Sequence, residues 1–408
     1  MFQTLMGPDI YTRILFIIAV SFCFIEIMAT LFTIIYQRFV YHRVIKPKYD
    51  SNYEPRCSII VPCKGLPKDL GSNLRGFLEL DYKDYEVIFV VESETDPAVS
   101  EIKEVCSDRR VSLVVAGFSK ECAQKNHNML AAIRKATDTE VFVFADSDIK
   151  PSPEWLKELT MPLSDSKVTV TSGFRWLHAL KATPGELTHF YVNTFIYITF
   201  TTACFFGGVG LWGGSMAIRK EDFDGLGVAK KWSRAAVDDM SLSDLVFKSS
   251  KKAVIVPTCL TKSDDLIQSV GSTISWFERQ IMYLKAYQKP LWLIALPLSL
   301  IGSALLFLLP FSLLGSFFSN HKSFTALGGG AAVIFYAGQA LTALLYPLMG
   351  KTPPKLKFLL FQPFLRFTHA LSYFRTIITN TIIWAGIEYK VSSNGDVESL
   401  QRLVGELK

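Results

Sequence analysis

Three short groupings in this chain carry the residue types that phosphate and proton chemistry require. The run Val141-Phe142-Val143-Phe144-Ala145-Asp146-Ser147-Asp148 is apolar and ends in two carboxylates one residue apart. Such a pair suits one hard divalent cation, Mg2+ or Mn2+, which takes oxygen ligands, keeps several waters and often bridges substrate phosphates. The implied ligand is a nucleoside diphosphate, whose growing charge on departure the metal neutralises. The same residues also suit an acidic turn capping the next helix. Val237-Asp238-Asp239-Met240 opens a helical stretch and follows the glycine-rich Gly210-Leu211-Trp212-Gly213-Gly214-Ser215. A carboxylate there can take the proton of an acceptor hydroxyl, as transfer of a sugar from a diphosphate requires, and either aspartate also suits a helix N-cap. Lys125-Asn126-His127-Asn128 begins the helix that leads to the acidic strand, where a lysine suits a phosphate or the base of a nucleotide and a helix N-terminus favours anions, while an ordinary solvated lysine fits the same place. His127 and His189 are lone histidines, a pattern more often structural than catalytic.

The elements that must position these groups read as an α/β domain. Short apolar runs alternate with helical stretches, the pattern of a mostly parallel sheet covered on both faces. Strands are expected at Cys57 to Val61, Glu86 to Val91, Val111 to Val115, Val141 to Phe144, Val168 to Thr171 and Ala253 to Val256. Helices are expected at Leu70 to Leu80, Pro97 to Cys106 and Ala123 to Lys135. Open sheets of this kind bind ligands at the carboxyl ends of their strands. Those ends carry Pro62-Cys63-Lys64-Gly65, Glu92-Ser93-Glu94-Thr95-Asp96 and Asp146-Ser147-Asp148. No Gly-x-x-x-x-Gly-Lys loop occurs, and no Gly-x-Gly-x-x-Gly turn follows the first expected strand, which weakens kinase, ATPase and dehydrogenase readings.

Hydropathy divides the rest of the chain. Half of the 408 residues are hydrophobic, and they concentrate at the two ends. Ile14 to Tyr36 is long enough to span a bilayer, and Arg38, Arg43, Lys46 and Lys48 follow it, which predicts that the middle domain faces the cytosol. Leu291 to Phe318 and Ala326 to Met349 fit two further spans, the second returning to Lys351, Lys355 and Lys357. In Phe358 to Tyr389, Pro363, Arg366, His369 and Arg375 interrupt the apolar run, with Arg366, His369 and Tyr373 on one helical face. That suits a helix lying in the interface or packed on the other spans. Glu26, midway along the first span, is expected to be protonated or paired with another helix. The organisation is thus an anchor with a basic segment (1–49), a catalytic domain (50–270), a linking helix (271–290), two spans (291–350), and helices with a polar tail (351–408). The seven scattered cysteines read as reduced thiols, again suiting the cytosol. A net charge of +6 without basic–aromatic runs carries no nucleic-acid signature.

On these motifs, together with Ser58-Ile59-Ile60-Val61-Pro62-Cys63-Lys64-Gly65 and Gly213-Gly214-Ser215-Met216-Ala217-Ile218-Arg219-Lys220, the sequence resembles the ceramide glucosyltransferases, inverting enzymes of GT-A fold. The resemblance runs from the first span to about residue 320. It implies a UDP-sugar donor, UDP-glucose first, and a membrane lipid acceptor, ceramide first. It further implies that Pro62, Lys64, Gly65 and Glu92 line a uridine pocket, that Asp146 touches the nucleotide, that Asp148, with Asp146, ligates the metal, and that Asp239 is the base. Lys125, Gly214, Asp238 and Gln280 complete the donor site. The family motif Gln/Arg-x-x-Arg-Trp is represented here by Gln280-Ile281-Met282-Tyr283-Leu284, which lacks its arginine and tryptophan, with Arg279 adjacent. Independently, Thr188 to Phe206 is rich in Phe, Tyr and Thr and suits an apolar approach from the bilayer or a buried core helix. Other outcomes left open are transfer to diacylglycerol, a sterol or a hopanoid, a processive polysaccharide synthase, and an inactive membrane adaptor.

Overall fold

A computed structural model of the chain describes residues 8–67, 69–177, 184–205, 209–263, 269–318, 327–345 and 355–403. Helix α1 (Pro8–Ile35) continues through a wider helical segment, Tyr36–Ile45, to the domain that follows. There β1 (Cys57–Pro62), α2 (Leu70–Gly76), β2 (Tyr85–Val91), α3 (Ala98–Val105), β3 (Val111–Val115), α4 (Gln124–Lys135), β4 (Val141–Ala145) and α5 (Trp155–Thr160) alternate as expected. Next come β5 (Val168–Leu177), α6 (Pro184–Phe205), β6 (Ser215–Arg219), α7 (Lys220–Gly225), α8 (Val228–Trp232), α9 (Asp238–Lys248) and β7 (Lys252–Ser263).

The seven strands form one sheet in the order β3-β2-β1-β4-β6-β5-β7. Its pairs are parallel except for the two made by β6, which runs antiparallel to β4 and β5. The central strands β1, β2 and β4 are buried on both faces, which explains why they read as continuous apolar runs rather than as alternating ones. Ile59, Val61, Phe89 and Val143 face Leu74, Phe77 and Trp155, while Ile60, Ile88 and Phe144 face Met129, Trp232 and Leu242. The odd–even division follows from the two-residue period of a strand. Strand β6 was not expected. Its residues were legible only as part of a glycine-rich motif, because Ser215–Arg219 is too short to declare itself by pattern.

The remaining helices are α10 (Val270–Tyr287), α11 (Lys289–Phe318), α12 (Gly329–Leu345) and α13 (Lys355–Ile378). Among the described residues, two stretches are long and apolar enough to cross a membrane, Thr12–Lys48 and Lys289–Gly315. The expected span Ala326 to Met349 is described only in part, as the shorter apolar helix Gly329–Leu345; Lys322 and Lys351 lie outside the described residues. Glu26 is paired rather than isolated. Its carboxylate meets Arg366 of α13, and Gln339 of α12 donates to it at 2.6 Å. Arg366 and Tyr373 are buried, and His369 meets the Ser299 hydroxyl at 3.0 Å, so the polar face of α13 is turned into the helix bundle.

The C-terminal segment differs from the expected polar tail. Strands β8 (Thr381–Trp384), β9 (Ile387–Val391) and β10 (Val397–Arg402) form a separate antiparallel sheet. Ile382, Ile387, Tyr389 and Val391 bury against Met282, Ala286 and Tyr287 of α10. The alternation of apolar and polar residues in Ile387–Val391 carried this signal, but it was merged with the preceding apolar helix. All seven cysteines are free thiols.

Candidate active site

The antiparallel pairing of β4 with β6 sets Ala145 opposite Ser215, so the acidic end of β4 lies beside the Gly213-Gly214 loop. The Asp146 N–H donates to the Gly214 carbonyl at 3.2 Å. A side chain at Gly214 would come within 2.5 Å of the Asp146 Oδ2 and would strike the Trp212 ring, and one at Gly213 would strike Asp238 Oδ2. Carboxylates from two elements thus close on backbone that has no Cβ to hold them apart. α9 begins after the extended Val237, which places Asp238 and Asp239 in its first turn, where a helix favours negative charge.

Lys125, in the first turn of α4, joins the two acidic groups. Its Nζ lies 2.9 Å from Asp146 Oδ1 and 3.0 Å from Asp238 Oδ2. On the far side of Asp146, Arg175 near the end of β5 spans both β4 aspartates, with Nη2 at 3.2 Å from Asp146 Oδ2 and Nη1 at 3.4 Å from Asp148 Oδ2. The guanidinium also lies over the Trp212 ring, 5.2 Å from its centre. The Gly213 N–H donates to Asp239 Oδ2 at 2.9 Å and the Met240 N–H to Oδ1 at 2.6 Å. These contacts define a cleft walled also by Arg279, Gln280 and Tyr283 of α10 and by Trp384 of β8.

The electrostatics separate the carboxylates. Burial opposes the Asp146 charge, but Lys125 and Arg175 outweigh it and hold that carboxyl below its ordinary range. Burial dominates at Asp148 and raises it despite Arg175. Asp239 is pushed up to about 7, first by burial and then by the neighbouring Asp238, against the opposing influence of Lys125. Burial works against the Lys125 charge, yet Asp146, Asp238 and Asp239 together raise its pKa. A carboxylate of raised basicity beside an ion-paired acidic cluster is an arrangement for moving a proton at neutral pH.

The residues fit a hard divalent cation. Among the described residues no group of three His, Cys, Asp or Glu side chains gathers as a metal site. Asp146 and Asp148 nevertheless supply oxygen donors, and Asp148 Oδ1 is buried without a hydrogen-bond partner. Mg2+ and Mn2+ are held by one or two carboxylates when substrate phosphates supply further ligands.

Of the residues singled out from the sequence, Lys125, Asp146, Gly214, Asp238, Asp239 and Gln280 line this one cleft, with Asp148 joined to it through Arg175. Lys64 and Glu92 form a neighbouring cluster instead: Lys64 Nζ lies 3.4 Å from Glu92, which is buried and also meets Arg402 of β10 at 3.2 Å. Pro62 ends β1, and Gly65, at φ +67°, donates its N–H to Asp96 at 2.9 Å. The Lys64 ammonium donates to the Ala385 carbonyl at 2.8 Å, so the C-terminal sheet covers this side. Sequence reading missed Arg175, Trp384 and Arg402. A lone arginine inside an otherwise apolar strand was the available signal for Arg175; the two C-terminal residues gave none.

The sequence profile of glycosyl transferase family 21 matches residues 25–397. "Ceramide glucosyltransferase 1" of Caenorhabditis elegans is 22% identical over 356 residues, 85% of this chain and 73% of that protein. Among solved structures, the mannosyltransferase PcManGT from Pyrobaculum calidifontis, in complex with GDP-Man and Mn2+, is similar with a TM-score of 0.52 at 18% identity, covering 88% of this chain and 96% of that one. That likeness carries the GT-A fold. With a profile match across nearly its whole length, the chain belongs to glycosyl transferase family 21 and is a hexosyltransferase.

Proposed function

We propose that this protein moves a hexose from a UDP-sugar, UDP-glucose first, onto the hydroxyl of a membrane lipid, ceramide first, with inversion at the anomeric carbon. The observation that carries this reading is the composition of the cleft wall. Asp146, Asp238 and Asp239 come from the α/β domain, whereas Arg279, Gln280 and Tyr283 come from α10, which leads at once into the apolar α11. A donor held by the first set therefore faces an acceptor arriving along the second. The exposed apolar residues of α1 and α11, among them Ile17, Phe24, Phe311 and Phe317, supply a surface for the bilayer. The basic segment after α1 supports an orientation with the cleft on the cytosolic side. The name of the nematode relative supports a glucosyl donor and ceramide.

Asp239 takes the acceptor's hydroxyl proton as the acceptor oxygen attacks the anomeric carbon and the bond to the diphosphate oxygen breaks. Its two oxygens each hold one backbone N–H, which fixes the carboxylate plane and leaves lone pairs for the acceptor. Lys125 and Arg175 lie where they can balance the donor's negative charge. Asp146 and Asp148 would hold a Mg2+ or Mn2+ ion, which when bound neutralises charge on the leaving diphosphate. Seating both reactants at one interface removes much of the entropic cost of bringing them together.

The test is purified full-length protein in lipid nanodiscs containing ceramide, diacylglycerol or a sterol, supplied with radiolabelled UDP-glucose and Mn2+. Label is expected in the organic extract of the ceramide discs. Label released only as free glucose, or retained in a water-soluble polymer, would overturn the lipid-acceptor assignment.

A further inference from the structure

Arg175 and a divalent cation have claims on the same oxygens. Both Asp146 oxygens face a positive side chain, Oδ1 toward Lys125 at 2.9 Å and Oδ2 toward Arg175 at 3.2 Å. One Asp148 oxygen faces Arg175 at 3.4 Å, and the other is buried without a hydrogen-bond partner. The Arg175 side chain is four-fifths buried, with 19% of it exposed, and its guanidinium lies over the Trp212 ring, so it belongs to the cleft wall rather than swinging in solvent. A divalent ion drawn to the Asp146–Asp148 pair meets like charge at short range, in surroundings where charges are poorly screened. For both to stay, the guanidinium needs another anion nearby. A nucleotide sugar brings one, since a diphosphate matches the two-point geometry of an arginine fork.

We propose that Arg175 competes with the divalent cation for the Asp146–Asp148 pair and passes to the donor's diphosphate when nucleotide binds, so that metal and donor enter as a coupled pair. This rests on the reading of the cleft as a donor site. It assigns Arg175 two roles: discouraging metal uptake without donor, and holding the diphosphate once both are bound. No bond is made or broken in the exchange; one ion pair replaces another. Trp212 gives the guanidinium a fixed surface on which to pivot, which limits the entropy lost at each position. The coupling is reciprocal by thermodynamic necessity, so the factor by which UDP tightens metal must equal the factor by which metal tightens UDP.

The experiment is a Mn2+ titration by electron paramagnetic resonance on full-length protein in nanodiscs, without nucleotide and with UDP, for the wild type, Arg175→Met, Arg175→Lys and Asp148→Asn. Without UDP, Arg175→Met is expected to bind Mn2+ at least about tenfold tighter than wild type, because the competing charge is gone. With saturating Mn2+, the same variant should bind UDP about tenfold more weakly, because the charge-assisted fork to the diphosphate is lost. Arg175→Lys keeps the charge without the fork, so its metal affinity without UDP should stay near wild type while UDP binding weakens. A purely structural role would loosen both ligands together. Unchanged or weaker Mn2+ binding in Arg175→Met, with Arg175→Lys behaving as wild type toward UDP, overturns the proposal. Wild-type Mn2+ binding in Asp148→Asn instead overturns the donor-site reading beneath it.

Discussion

Replacing Asp239 with asparagine removes the proposed base while keeping the shape of the side chain, and the structure fixes what should follow. Positioned general bases contribute about 10²- to 10⁴-fold, and the turnover number should fall by that amount with UDP affinity little changed. The pH profile gives an independent check. With the carboxyl pushed up to about 7, half of the wild-type enzyme carries the active carboxylate at that pH and roughly a tenth at pH 6, so kcat/KM should rise with pH on a limb of unit slope and level off above about 8. In Asp239→Asn that limb should vanish from the residual activity. Stability should move the opposite way. A carboxyl whose folded value lies above its ordinary 3.8 binds its proton more tightly when folded, so its contribution to stability falls as pH rises from about 4 to 7. The displacement to about 7 corresponds to roughly 4 kcal/mol at most. Asparagine gives back part of this, because its amide nitrogen cannot accept the second of the two backbone N–H groups that the carboxylate holds. A net gain on the order of 2 kcal/mol is expected at pH 8 and close to none at pH 5, read as a rise in Tm that grows with pH. A variant retaining more than about a tenth of wild-type turnover, or an acid limb unchanged at its wild-type midpoint, would refute the assignment of Asp239.

Substitutions at two other positions follow from the packing. Gly214→Ala puts a methyl group against Asp146 Oδ2 and the Trp212 ring and should cost roughly 1–3 kcal/mol in stability together with most of the metal-dependent donor binding. Thermal unfolding and UDP titration measure the two effects separately, and wild-type behaviour in both would show that the loop yields. Glu26→Ala leaves Arg366 buried without its counter-charge and should destabilise the helix bundle by about 3–5 kcal/mol, whereas Glu26→Gln, which keeps an acceptor for Arg366, should cost distinctly less. Unfolding followed in detergent would decide, and equal losses for the two variants would mean that the pair contributes little.

Much of this protein was legible in its residues. Doubly buried strands need unbroken apolar runs, so β1, β2 and β4 could be found with nearly correct ends, and the half-buried edge strand β3 was short and apolar enough to be found as well. The rule that ligands gather at strand carboxyl ends selected Asp146 and Asp148, and an acidic pair opening a helical stretch after the glycine-rich segment pointed to Asp238 and Asp239. Hydropathy likewise marked α1 and α11, because the thickness of a bilayer sets a length that a single sequence can satisfy or fail. What the chain alone could not reveal are contacts whose partners lie far apart along it. Arg175 reads as one arginine in a strand until the pairing of β5 through β6 to β4 brings it across both aspartates. Trp384 and Arg402 follow α13 in the sequence, yet Trp384 closes the cleft wall and Arg402 meets Glu92. Periodicity and composition report a residue's own surroundings, and only the path of the folded chain determines which distant charges finish within hydrogen-bonding distance.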